Sequence, residues 1–172
     1  MELHTDELWR AARELSAGTR ILLSGIVYTA RDAAHKKIFE LLEIGAELPF
    51  SISRAVIYYA GPTPAKNGFA VGSCGPTTSA RMDRFAVRLF DLGLAATIGK
   101  GEIGAEVEAA IARNGGVYLC AVGGAGALIA GRITEAREIA FPELGCESVK
   151  RLTLDRLPLT VGVDAKGGRV FA

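Results

Sequence analysis

Three short stretches set a basic side chain on what reads as a turn: Thr29-Ala30-Arg31-Asp32, Gly72 to Asp83, and Gly99-Lys100-Gly101. The second is the most informative. Gly72, Gly75 and Pro76 make a loop, Thr77, Thr78 and Ser79 are all competent helix N-caps, and from Met82 an apolar stripe runs at helical spacing through Phe85, Ala86 and Leu89. The pattern predicts a helix that starts near Ser79, with the free N–H groups of its first turn and their partial positive charge beside the threonines. Arg81 then falls inside that turn, where a cation adds to the positive end of the helix dipole. An anion on the helix terminus reverses the sign of that argument, because N–H groups, hydroxyls and guanidinium would all point at one negative group. The alternative is a solvated face of Arg81, Arg84 and Arg88 with Asp83 relieving the dipole, and this stretch alone does not separate the two.

The elements that must position these turns follow from periodicity. Thr5 to Leu15 reads as an amphipathic helix capped by Thr5, and Ile21 to Tyr28 as a buried strand. The turn carrying Arg31 opens a helix along Ala34, Ile38, Leu41 and Leu42 that stops at Gly45. Ala55 to Ala60 is a short strand, and Gly61-Pro62-Thr63-Pro64 is neither helix nor sheet interior. Leu94 to Ile98 is a strand leading into Lys100, followed by a helix on Ile103, Val107, Ala110 and Ile111. Val117 to Val122 is the next strand, Gly123 to Gly126 a close turn, and Ala127 to Ile133 a short helix of small residues. From Val149 the apolar residues Leu152, Leu154, Leu157, Leu159, Val161 and Val163 largely alternate, as in strand and hairpin, with a tight turn at Lys166-Gly167-Gly168. The expected class is α/β, a mixed sheet with parallel neighbours and a smaller β-rich C-terminal part. In such folds the turns leaving the strand carboxyl ends share one edge, where ligands bind. Arg31, Arg81 and Lys100 are therefore expected to converge, and three cations on three such turns favour an anion site over solvated surface.

The 172 residues, 49% of them hydrophobic, suit one domain spanning 1–172. With 20 basic and 19 acidic side chains the formal charge is +1, so no nucleic-acid partner is expected. Cys74, Cys120 and Cys146 are odd in number and have no metal-finger spacing, which argues for a reducing, cytoplasmic setting and for no metal held by this chain. The N-terminal residues lack a signal-peptide core, and the uncharged run 114–131 is studded with glycine, so it reads as a buried strand turning into a buried helix instead of a membrane span. A phosphate loop is excluded because Leu94 and Gly101 stand where Gly and Ser or Thr are needed, and Gly124-Ala125-Gly126 meets only half of a dinucleotide fingerprint. His35, beside Lys36 and Lys37, reads as an ordinary exposed histidine, and Cys74 has no histidine to serve it as a nucleophile.

With the basic turns established, the sequence resembles the β subunit, or carboxy-terminal domain, of the class I iron–sulfur hydro-lyases, which include fumarate hydratases and L-tartrate dehydratases. The motifs are Tyr28-Thr-Ala-Arg-Asp-Ala-Ala-His-Lys36, Tyr59-Ala-Gly-Pro-Thr-Pro64, Gly75-Pro-Thr-Thr-Ser-Ala-Arg-Met-Asp83, Ile98-Gly-Lys-Gly101 and Leu159-Thr-Val-Gly-Val-Asp-Ala-Lys-Gly167, in the family's order. The resemblance implies a swivelling β/β/α three-layer fold and an active site shared with an α subunit that carries a [4Fe–4S] cluster. It implies reversible addition of water to a small unsaturated dicarboxylate, fumarate to L-malate first, with L-tartrate dehydration as the near alternative. A non-catalytic anion-binding domain is the reading from another class. Position by position, Arg31, Arg81 and Lys100 match substrate-binding cations and Thr77 the residue near the carbon that exchanges a proton, with Lys100 supplying its field. Thr78 is a further substrate contact and could exchange roles with Thr77. Made without its partner, such a chain could self-associate through apolar surface.

Overall fold

Parallel strands bury both faces only if something covers each of them, and this chain does so by closing its sheet on one side and layering helices on the other. The computed structural model describes residues 1–65 and 68–171. In chain order the elements are β1 (Glu2–His4), α1 (Thr5–Ala11), β2 (Arg20–Thr29), α2 (Asp32–Glu43), β3 (Val56–Tyr58) and, after a 3₁₀ turn (Ser79–Met82), α3 (Asp83–Asp91). There follow β4 (Ala96–Gly99), α4 (Ala105–Asn114), β5 (Val117–Cys120), α5 (Gly126–Ala130), β6 (Ile133–Ala140), a second 3₁₀ segment (Pro142–Glu147) and β7 (Val149–Val163).

The seven strands run β1-β2-β3-β4-β5-β7-β6, and β2 also pairs with β7. Strands β1 to β5 are parallel to their neighbours, while β7 is antiparallel to β2, β5 and β6. The ring β2-β3-β4-β5-β7 is thus closed. Its interior is filled by Leu23, Val27, Val56, Tyr58, Ile98, Leu119, Leu152 and Leu159 among others. Alternate residues point the other way: Ile57, Tyr59 and Tyr118 meet Ile38, Phe85, Leu89, Val107 and Ile111 from α2, α3 and α4. The imperfect alternation of β7 has a local cause. Arg156 takes a left-handed φ of 51°, and the pairing jumps from Leu23 with Leu157 to Gly25 with Leu154. This bulge returns Leu157, Leu159 and Val161 to the interior after Leu154.

Several expectations need correction. The first helix ends at Ala11, and its N-cap is His4, whose ring nitrogen accepts from Asp6 N. Thr5 instead turns inward and accepts from Ile26 N at 2.9 Å, tying α1 to β2. Strands β1 and β6 are edge strands, one short and the other largely exposed, without the regular apolar alternation that would mark them in the sequence. The helix after the Gly123 turn is only half buried, with Leu128 79% exposed. No helix among the described residues is long and apolar enough to cross a membrane.

The α1–β2 contact is close because Gly25, at φ 109°, has no side chain: a Cβ there would lie 2.3 Å from Thr5 Oγ1 and 2.9 Å from the His4 ring. Gly25→Ala is expected to lower unfolding stability by roughly 1–3 kcal/mol from overpacking, with a lower urea midpoint at unchanged m-value. An unchanged midpoint would show that α1 is not held in this way.

Candidate functional site

The carboxyl ends of β2, β3, β4 and β5 lie along one edge, and a loop strand threads between two of them. Thr77 N donates to Tyr59 O at 2.7 Å, Ser79 N donates to Lys100 O at 3.0 Å, and Thr78 and Lys100 form an isolated parallel bridge. These bonds fix the turns carrying Thr77, Thr78, Arg81 and Lys100 against one another. They also overturn the picture of a free helix N-terminus, since the first turn is 3₁₀ and no side chain caps it. Ser79, expected as a cap, is buried, and its hydroxyl lies 2.8 Å from Tyr118 Oη, which in turn lies 2.8 Å from Gly101 O. A carbonyl can only accept, so Tyr118 donates to Gly101 and Ser79 donates to Tyr118. Burial raises the Tyr118 pKa far above its usual range, so this donor stays protonated.

Arg81 carries the main surprise. Its Nε donates to Asp32 Oδ1 at 3.3 Å and its Nη2 to Asp32 Oδ2, a two-point ion pair, and its Nη1 reaches Thr77 Oγ1 at 3.5 Å. Burial pushes the Asp32 carboxyl up, but the Arg81 hydrogen bond, its own backbone N–H and the charges of Arg81 and Arg31 together hold it below the usual carboxylate value. A cation in the first turn therefore has a structural partner that the sequence argument did not supply. Arg88, on the same helix face, pairs with Glu43.

Arg31 occupies the N-cap position of α2 without a side-chain cap. Its Nη2 lies 3.3 Å from Glu147 Oε1, its Nε is buried without a partner, and a Cβ on Gly61 would come within 3.2 Å of its Nη1. Glu147 Oε2 also accepts from Ala33 N at 3.2 Å, so this carboxylate sits on the positive end of α2. Lys100 is half-buried, and its Nζ lies 4.0 Å from where a Cβ on Gly123 would stand. Among the described residues no carboxylate pairs with it.

The structure thus links Thr77, Arg81 and Asp32 by side chains, Thr78 and Lys100 by backbone, and Arg31 to Asp32 by adjacency. Asp32, Glu147 and Tyr118 were not anticipated as part of this rim. Asp32 could have been suspected as the residue after Arg31; Glu147 arrives from the far end of the chain, and nothing in its neighbourhood advertises it.

The expected exposed histidine is fully buried. His35 stacks on Phe85 at 5.2 Å, and its Nδ1 lies 2.8 Å from Arg31 O, which also accepts from His35 N. Cys74 lies in the inner core and burial pushes its thiol up to about 12, which removes it as a nucleophile. No group of three or more His, Cys, Asp and Glu side chains able to hold a metal occurs among the described residues.

The fold and rim define a mixed α/β domain whose strand carboxyl edge is built from basic turns. All of residues 1–172 match the family profile described as "Fumarase C-terminus", and the chain belongs to that family. It is 38% identical over 170 residues to fumarate hydratase 2 of Leishmania major, which covers 97% of this chain and 30% of that protein. It is 36% identical over 167 residues to the anaerobic class I fumarate hydratase of Escherichia coli, covering 96% of the chain and 30% of the relative. A protein of Methanocaldococcus jannaschii, provisionally named as the beta subunit of an L(+)-tartrate dehydratase, is 37% identical over 165 residues, covering 92% of the chain and 85% of the relative. The chain thus spans about 30% of the length of the fumarate hydratases it matches.

Burial drives the His35 pKa down to about 4, against the smaller opposing effects of its bond to Arg31 O and the charge of Asp32. Because the folded value lies below that of the unfolded chain, the unfolded state takes up the proton first on acidification. Unfolding stability should fall by roughly 3 kcal/mol between pH 6.5 and 4, and this component should be missing from the urea-derived profile of His35→Phe. Identical profiles for the two proteins would contradict the buried, neutral histidine.

Proposed function

We propose that this chain is the β-type part of an iron–sulfur hydro-lyase that reversibly adds water to a small unsaturated dicarboxylate, fumarate to L-malate. The observation that carries the reading is the linked rim: Lys100 without a carboxylate partner among the described residues, bridged to Thr78, beside Arg81 facing Thr77. Membership of a family whose relatives are named fumarate hydratases supports the substrate class.

In this reading Arg31, Arg81, Lys100 and Thr78 bind the substrate carboxylates, and charge-assisted contacts fix its carbon skeleton. Thr77 takes part in proton exchange at carbon. A threonine hydroxyl is a poor base by itself, so nearby cations are needed to favour negative charge on its oxygen. Arg81 Nη1 at 3.5 Å and the adjacent Lys100 turn supply that field. The helix-covered closed sheet fits the swivelling β/β/α architecture, with 1–172 as one domain. The [4Fe–4S] cluster would belong to an α subunit or α-like segment, since no ligand set for it is gathered among the described residues. The assembly would work in the cytoplasm. Without that partner, exposed apolar residues such as Val122 and Leu128 give the chain a surface for self-association.

L-tartrate dehydration is the second reading, favoured by the one observation that the M. jannaschii relative is matched over 85% of its length. A dicarboxylate screen of the chain assembled anaerobically with its cluster-bearing partner separates the two. Arg81→Met and Lys100→Met should each lower kcat/KM by about 10- to 100-fold, as the loss of one charge-assisted contact implies. Near wild-type kcat/KM in either variant would refute the site assignment. A chain that never associates with a cluster protein, yet binds a carboxylate, would replace the enzyme reading with that of an anion-binding domain.

A further inference from the structure

A guanidinium left free would grip a substrate carboxylate as a two-pronged fork. In this fold the Nε–Nη2 edge of Arg81 cannot do so, because both nitrogens are engaged by the two oxygens of Asp32. Nη1 and the second N–H of Nη2 remain, and Nη1 lies 3.5 Å from Thr77 Oγ1. Asp32 is itself well placed to hold that orientation. It opens α2, its side chain is only 25% exposed, and the first-turn N–H of Ala33 is already served by Glu147, so the Asp32 carboxylate is turned to the arginine.

We infer that Asp32 is a positioning residue of this site: by occupying the Nε–Nη2 edge of Arg81 it aims Nη1 at the Thr77 hydroxyl and closes that edge to the substrate. The inference rests on the reading of the rim given above. A fork on the substrate from that edge would stabilise bound substrate and transition state alike and leave kcat unimproved. An N–H held on the Thr77 oxygen acts where negative charge develops, at no cost of reorientation during the reaction. Asp32 also subtracts one unit of positive potential from the rim, which weakens the binding of a dianion and favours product release.

Removing the charge while keeping the shape should therefore slow turnover yet tighten binding. In the assembled enzyme, Asp32→Asn should lower kcat by roughly 10- to 100-fold, the usual effect of losing a group that orients an active-site ligand. It should also lower KM for L-malate by about twofold, as expected for one negative charge removed roughly 8 Å away, across the guanidinium, in a water-like medium. Asp32→Glu, which restores a carboxylate, should recover part of kcat. A second readout needs no activity: in ¹⁵N spectra of the chain, the Arg81 Nε–H resonance, identified by its loss in Arg81→Lys, should be resolved in the wild type and exchange-broadened in Asp32→Asn. Unchanged kcat, or an unchanged Nε–H resonance in Asp32→Asn, overturns the inference. A raised KM with a lowered Tm overturns it too, because that is what a purely structural Asp32 would give. Wild-type kcat/KM in Arg81→Met and Lys100→Met would instead sink the underlying site reading.

Discussion

The backbone pairing of the segment from Pro76 to Ser79 with the ends of β3 and β4 is the constraint on which the rest depends. Two hydrogen bonds, Thr77 N to Tyr59 O and Ser79 N to Lys100 O, insert a loop between parallel strands. Each strand end would otherwise leave polar groups unpaired at a buried edge. Because the loop itself satisfies them, its threonines and Arg81 are held in register with Lys100. Gly99 makes the approach possible, since a Cβ there would lie 2.0 Å from Ser79 Oγ. The Ser79–Tyr118–Gly101 chain of hydrogen bonds then locks the far side of the Lys100 turn to β5.

On this frame the electrostatics are more self-contained than three bare cations. Arg31 and Arg81 each hold a carboxylate of the same chain, Glu147 and Asp32, and only Lys100 lacks one among the described residues. Neither pair is deeply buried, so neither adds much to stability. Their effect is geometric, because a paired guanidinium has fewer edges to offer and a narrower range of directions. The rim is thus a set of oriented donors around one free ammonium, which is more selective than a diffuse positive patch.

Much of this was legible in the sequence wherever one periodicity controlled burial. Met82, Phe85, Ala86 and Leu89 pack as their spacing required, and the alternation of β7 broke at Arg156, where a bulge explains it. The placement of Arg31 and Lys100 just after β2 and β4 was also readable, whereas Arg81 lies in the 3₁₀ turn at the end of the long loop that follows β3. Three features were not. His35 looked exposed because two lysines follow it, yet it shares the buried stripe of α2 with Ala34 and Ile38. The predicted helix start at Ser79 gave way to a 3₁₀ turn because strand-like pairing captured the backbone that an α-helix would have used. The partnership of Arg31 with Glu147 joins distant parts of the chain, and no local pattern encodes it.

The most direct test of the account is a crystal structure of the assembled protein with a four-carbon dicarboxylate bound. The ligand carboxylates should contact Lys100 Nζ and Arg81 Nη1, with Thr77 Oγ1 beside the carbon chain and Asp32 still on the opposite edge of Arg81. A ligand bound away from this rim, or side chains of Arg31, Arg81 and Lys100 facing separate directions around it, would contradict the account.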